Sequence, residues 1–180
     1  MQTNMSILVT AFEPYGGNDT NISQRVLDAT QADVAKLLLP VSFRRAPEVL
    51  YEAIEQFQPD VIIAMGQAAE GDKIRLERLA INMMDSAKGD NDGDIPDEEI
   101  ICPEAPLALK TALPLKSLCA DCINAGLPTM VSNSAGLYVC NRIYFEALRH
   151  SPNSLFVHIP KNMDLEIAKQ VINILLSSKR

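Results

Sequence analysis

The sequence predicts a three-layer α/β/α sandwich with a mostly parallel, twisted central sheet. Three observations predict it. Short apolar runs alternate along the chain with amphipathic stretches at helical spacing, the pattern of strands joined by crossover helices. The runs SILVTAF (6–12) and DVIIAMG (60–66) are continuously apolar, as strands buried on both faces are. No repeat, linker or low-complexity stretch divides the 180 residues, so residues 1–180 read as one domain, long enough to bury a core.

Taken in order, residues 6–12 form the first strand. Ile22, Val26, Leu27, Val34 and Leu37 are spaced for a helix over 22–37. LLLPVSF (37–43) is a second strand, with Pro40 marking an edge or bulge. PEVLYEAIEQF (47–57) starts a helix at Pro47 and places Leu50, Ile54 and Phe57 on one face. Residues 60–66 are the third strand, closed by Gly66, and KIRLERLAINM (73–83) is a fourth. A polar loop follows, then a helix around 115–125, a strand at 128–132, a helix at 140–149, a strand at 154–159 and a helix at 164–178. The acidic stretch DNDGD (90–94) does not fit a calcium loop. Starting from Asp90, the positions that need Gly and Glu hold Ile95 and Ile101, so it reads as a solvated loop. PYGG (14–17) lacks the spacing of a phosphate-binding loop.

Charge and composition exclude several classes. A net charge of −7 argues against nucleic acid as a partner, because a phosphate backbone needs a basic face. No apolar run approaches the roughly 20 residues of a membrane span, so no membrane partner is expected. MQTNMSILVTAF has no basic leader region, and four cysteines without a secretory signal indicate reduced thiols in a cytoplasm. Cys119 and Cys122 have CxxC spacing but lie in a helical pattern with no second pair, so no metal site is expected.

Cys140 stands apart. It sits where the turn after TMVS (129–132) meets a helix, and a thiol at a helix's first turn feels the positive end of the dipole, which favours thiolate. The alternative is a small buried hydrophobe. A cysteine nucleophile needs a base, and the base needs an orienting group. The chain has two histidines. His150 is ten positions from Cys140 along one helix, about 15 Å away, too far to serve. His158 lies at the carboxyl end of the strand LFVHIP, where functional groups gather in open α/β sheets. Glu77 is a carboxylate in an otherwise apolar strand, and burial requires it to be paired. It is either the orienting group for His158 or the partner of Arg75 or Arg78.

With these residues in view, the chain resembles the type I pyroglutamyl peptidases, a family of cytoplasmic cysteine peptidases. The resemblance rests on AFEPYGG (11–17), LPVSF (39–43), MGQAAEG (65–71), RLERLAIN (75–82), LPLKSL (113–118), VSNSAGLYVCN (131–141) and FVHIP (156–160), in family order. It implies a phosphorylase/hydrolase-like fold, no cofactor and a homotetramer. It implies removal of N-terminal pyroglutamate from peptides, with Cys140 as nucleophile, His158 as general base and Glu77 as third member. It assigns Phe12 and Tyr15 to the flanks of the substrate ring, Gln67 to a polar position after the third strand, and Tyr138 and Val139 to the approach beside the thiol. Two positions depart from the family pattern. Ala87 stands where the family carries an arginine, with Lys88 beside it, and Lys161 stands where an aromatic is common. Those departures motivate an alternative, a catalytically weakened relative that binds pyroglutamyl peptides. A nucleoside-phosphorylase-like enzyme would need a phosphate-binding Gly/Arg cluster, which is not evident.

Overall fold

The computed structural model describes residues 5–178. The reading of the first twelve residues as lacking a leader therefore falls partly outside the described residues. Among the described residues, five helices cover the two faces of a six-stranded sheet whose order is β2-β1-β3-β8-β4-β7. In chain order the elements are β1 (Ile7–Phe12), α1 (Ile22–Ala29), β2 (Ala35–Leu39), α2 (Arg45–Phe57), β3 (Val61–Ala68), β4 (Ile74–Glu77), β5 (Leu79–Ile81), β6 (Ala108–Lys110), α3 (Leu115–Asn124), β7 (Thr129–Ser132), α4 (Val139–His150), β8 (Leu155–Pro160) and α5 (Leu165–Ser177).

The period of two along each strand divides the core. On β1, Val9 and Ala11 join Ile63 and Met65 of β3 and Val157 and Ile159 of β8 beneath α1, α3 and α5. Leu8 and Phe12 join Ile62, Ala64 and Phe156 on the opposite face, beneath α2 and α4. All eight residues of β3 are buried, as a central strand covered on both faces requires. Strands β2, β1, β3 and β8 run parallel, but β4 pairs with β8 antiparallel and β7 follows β4. The mostly parallel sheet is therefore present, with two strands of opposite direction at one edge.

Three local expectations need correction. The first helix stops at Ala29, and Ala35–Leu39 is already edge strand β2, with Pro40 just past its end. The apolar residues from Val34 onward follow the strand period, which the helix template had absorbed. The run 73–83 is two strands, not one. Arg78 separates β4, in the main sheet, from β5, which pairs with the unanticipated β6. Asn141 of α4 holds the end of β5: its Oδ1 accepts from Ile81 N at 2.8 Å, and its Nδ2 donates to Ile81 O and Met83 O. Finally, the loop at 90–94 is anchored rather than simply solvated. Asp90 is buried and accepts from the backbone N–H groups of Phe43, Asp92 and Asp94. Arg44 and Arg45 pair with Asp94 and Asp92.

Candidate active site

The residues of interest converge on the sheet face covered by α4. On β8, Phe156 and His158 point to that face. Gly66 of β3 lies in register with His158, and Glu77, at the end of β4, lies in register with Phe156. Glu77 is thus diagonal to His158 on one sheet face, within reach of a long side chain. Its Oε1 accepts a hydrogen bond from His158 Nδ1 at 2.8 Å, with the carboxylate fully buried and the imidazole 7% exposed. The guanidinium of Arg75 approaches the same oxygen at 3.5 Å and offsets the buried charge. Both partners left open by the sequence are therefore engaged, with His158 the closer. Because the carboxylate only accepts, a proton sits on Nδ1, and Nε2 is the ring nitrogen left for proton exchange with the cavity.

Cys140 is the second residue of α4, as its place between strand-like and helix-like runs suggested. Tyr138 caps the helix without a side-chain hydrogen bond, so the cap residue does not take up the first-turn N–H groups. The thiol lies against Gly66: a Cβ there would sit 2.8 Å from Sγ and 2.8 Å from Phe156 Cζ. One expectation is reversed. Burial, and then the negative charge of Glu77, push the Cys140 thiol up to about 12 against the pull of its own N–H and of Arg75. Desolvation of the charged form works against the helix terminus and favours the thiol. No hydrogen bond joins Sγ to His158 among the described residues.

Cys140 and His158 line a cavity of about 180 Å³. Six of the other predicted positions can be placed. Phe12, Tyr15, Gln67, Tyr138 and Val139 line this cavity, and Glu77 stands behind the imidazole. Tyr15 and Tyr138 face each other with ring centroids 6.2 Å apart, and Phe43 meets Tyr138 edge-on at 5.2 Å. Gln67 Oε1 accepts from Ile22 N at 3.1 Å, which leaves its amide N–H groups as donors. Asn21, Val41 and Ala135 complete the lining and were not anticipated. Asn21 had a legible signal, since it caps α1 through Ser23 N. Gly66 and Asn141 were also missed as site-forming residues, although both lie inside the quoted motifs. His150, set aside on distance, lies within hydrogen-bond distance of Pro59 O, 3.0 Å away. Cys119 and Cys122 are buried on α3 as free thiols, raised by that burial.

A cysteine, a histidine and a glutamate gathered at one end of an open α/β sheet form the constellation of a thiol hydrolase. The family model described as pyroglutamyl peptidase matches residues 5–173, and the chain belongs to that family. It is 39% identical over 168 residues to a pyrrolidone-carboxylate peptidase of Pyrococcus furiosus, covering 87% of this chain and 81% of the relative. A Streptococcus pyogenes protein of the same description is 37% identical over 176 residues, covering 92% and 82%. The crystal structure of the pyrrolidone carboxyl peptidase from Fervidobacterium islandicum AW-1 superposes with a TM-score of 0.92 at 32% identity, covering 96% of this chain and 97% of that one.

Proposed function

We propose that this chain is a cysteine peptidase that hydrolyses the bond after an N-terminal pyroglutamyl residue. The observation that carries the reading is the buried Glu77–His158 pair, at 2.8 Å, behind the cavity that holds Cys140. Relatives described as pyrrolidone-carboxylate peptidases support the choice of substrate. A lactam ring has no charged amine, so it suits apolar walls such as Phe12, Tyr15 and Val139 with few polar groups among them. The free N–H of Gln67 suits a lactam carbonyl.

In the first step the Sγ–H proton passes to His158 Nε2 as Sγ bonds to the scissile carbonyl carbon. First-turn N–H groups of α4 receive the oxyanion. Glu77 holds the imidazole through Nδ1 and stabilises its positive charge. Nε2 then protonates the leaving amine, the C–N bond breaks, and a thioester remains. Water attacks it, giving its proton to Nε2, and pyroglutamate leaves as the proton returns to sulfur. Because burial raises the thiol, the proton moves with attack rather than before it.

We also propose a single domain acting in the cytoplasm, consistent with four free thiols among the described residues and no helix there long and apolar enough to cross a membrane. A homo-oligomer is proposed from the resemblance, tetrameric by expectation. Exposed Ile95, Ile100 and Leu107 supply apolar surface for it, and light scattering tests it. The activity test is release of a fluorescent amine from its pyroglutamyl amide. The wild type should release it, and Cys140→Ala should lose about 10³-fold or more in kcat/KM. Retained turnover in Cys140→Ala would reject the nucleophile. Pyroglutamate binding without turnover by the wild type would favour the weakened binding relative.

A further inference from the structure

Beside the cavity that holds Cys140 lies a second, larger hollow of about 450 Å³. Tyr15, Gln67 and Tyr138 line both, and the second adds Lys88 and Lys161. No Asp or Glu lines it. Among the described residues neither lysine is in an ion pair. Lys161 follows the end of β8, three residues beyond His158, and its backbone N–H donates to Ala68 O at 2.9 Å. Its ammonium donates to a neutral acceptor, Asn18 Oδ1, at 2.6 Å, and Asn18 in turn donates to Tyr15 O. Lys88 rises from a turn closed by Ser86, whose hydroxyl donates to Lys88 O and accepts from Lys88 N. The Tyr138 hydroxyl donates to Gly89 O at 3.2 Å, which ties that turn to the cavity wall. A chain of net charge −7 thus keeps two cations without carboxylate partners on the rim of its site.

An enzyme that removes the first residue has the rest of the peptide outside its ring cavity, and the hollow continues that cavity past Tyr15 and Tyr138. We propose that it is the leaving-peptide subsite, and that Lys88 and Lys161 select pyroglutamyl peptides with a carboxylate directly after the scissile bond. This rests on the proposed activity. The carboxylate can be an acidic side chain of the second residue or the free terminus of a pyroglutamyl dipeptide. Both lysines are exposed, so each pairing gives only a few-fold, and together about three- to tenfold in kcat/KM.

The test compares kcat/KM for five substrates: pyroglutamyl-Asp-amide, pyroglutamyl-Glu-amide, pyroglutamyl-Ala, pyroglutamyl-Ala-amide and pyroglutamyl-Lys-amide. The acidic amides should exceed Ala-amide by about three- to tenfold, with Lys-amide below it, and 0.5 M salt should compress the order. A like advantage for pyroglutamyl-Ala over its amide adds the free terminus as a source. Its absence alongside fast acidic amides assigns the site to side chains. The double variant Lys88→Gln/Lys161→Gln should bring the acidic-to-neutral ratio toward one, and Lys161→Glu should favour Lys-amide. Five equal rates in the wild type would overturn the selectivity while leaving the activity standing. So would variants that slow every substrate equally, because the lysines would then serve the chemistry and not the choice of peptide. Failure to cleave any of the five would overturn the proposed activity, and the selectivity with it.

Discussion

Gly66→Ala tests whether the sheet itself sets the position of the nucleophile. Gly66 lies in register with His158 and faces α4, and its φ is not among the positive ones, so alanine brings no backbone strain. The added Cβ would stand 2.8 Å from Cys140 Sγ, where ordinary contact begins at 3.4 Å, so sulfur must retreat by about 0.6 Å. The other neighbour, Phe156 Cζ, is also 2.8 Å away, and its ring packs between Tyr144 at 5.9 Å and His158 at 4.8 Å, so relieving that contact presses on the imidazole as well. A displacement of 1 Å at a reacting group can cost about 100-fold, so this one should lower kcat/KM roughly 10- to 100-fold. Overpacking should cost about 1–3 kcal/mol of stability, which leaves a folded enzyme to assay. The measurements are kcat/KM on a pyroglutamyl amide and a thermal unfolding curve. A variant within about threefold of wild type in kcat/KM and within about one degree in Tm would refute the argument, since Sγ would then be free to sit elsewhere.

Glu77→Gln should keep the hydrogen bond to Nδ1 but lose the charge that stabilises the imidazolium. The expected fall in kcat/KM is on the order of 10²–10³, and near-wild-type turnover would remove Glu77 from the mechanism. Iodoacetamide labelling of Cys140 in the absence of substrate should rise steadily with pH from about 7 to about 10, because burial raises the thiol. A plateau below pH 8 would instead indicate a preformed thiolate. Asp90→Ala frees three backbone N–H groups and releases the segment that seats Phe43 against Tyr138. Stability should drop by about 2–4 kcal/mol and KM should rise, as read from denaturant unfolding and steady-state kinetics. Glu146→Ala removes a buried carboxylate that serves Tyr51, Arg142 and Arg149. The cost should be about 3 kcal/mol, a fall of several degrees in Tm, with Glu146→Gln milder.

The sequence by itself determined the sandwich, most of its elements and the candidate residues that line the cavity. The reason is local: strands such as Val61–Ala68, buried on both faces, leave a continuous apolar run, while α2 and α4 leave a 3.6-residue stripe. With two histidines, one of them ten residues along the same helix as Cys140, the sequence alone left His158 as the candidate base. Pairing across distance decided the rest. Which side chain engages Glu77 depended on antiparallel register between β4 and β8, and a pattern of apolar residues does not encode strand direction. At Arg78 the chain passes from one sheet to the other: its N–H donates to Ser132 O beside β7 while its carbonyl accepts from Thr111 N beyond β6, partners more than 30 positions away that no window along the chain can see. The thiol's state followed the same rule. A helix terminus is visible in sequence, but the desolvation that works against it arises only when Gly66 of β3, Tyr15 and Tyr138 close around Cys140, and burial is a property of the assembled fold.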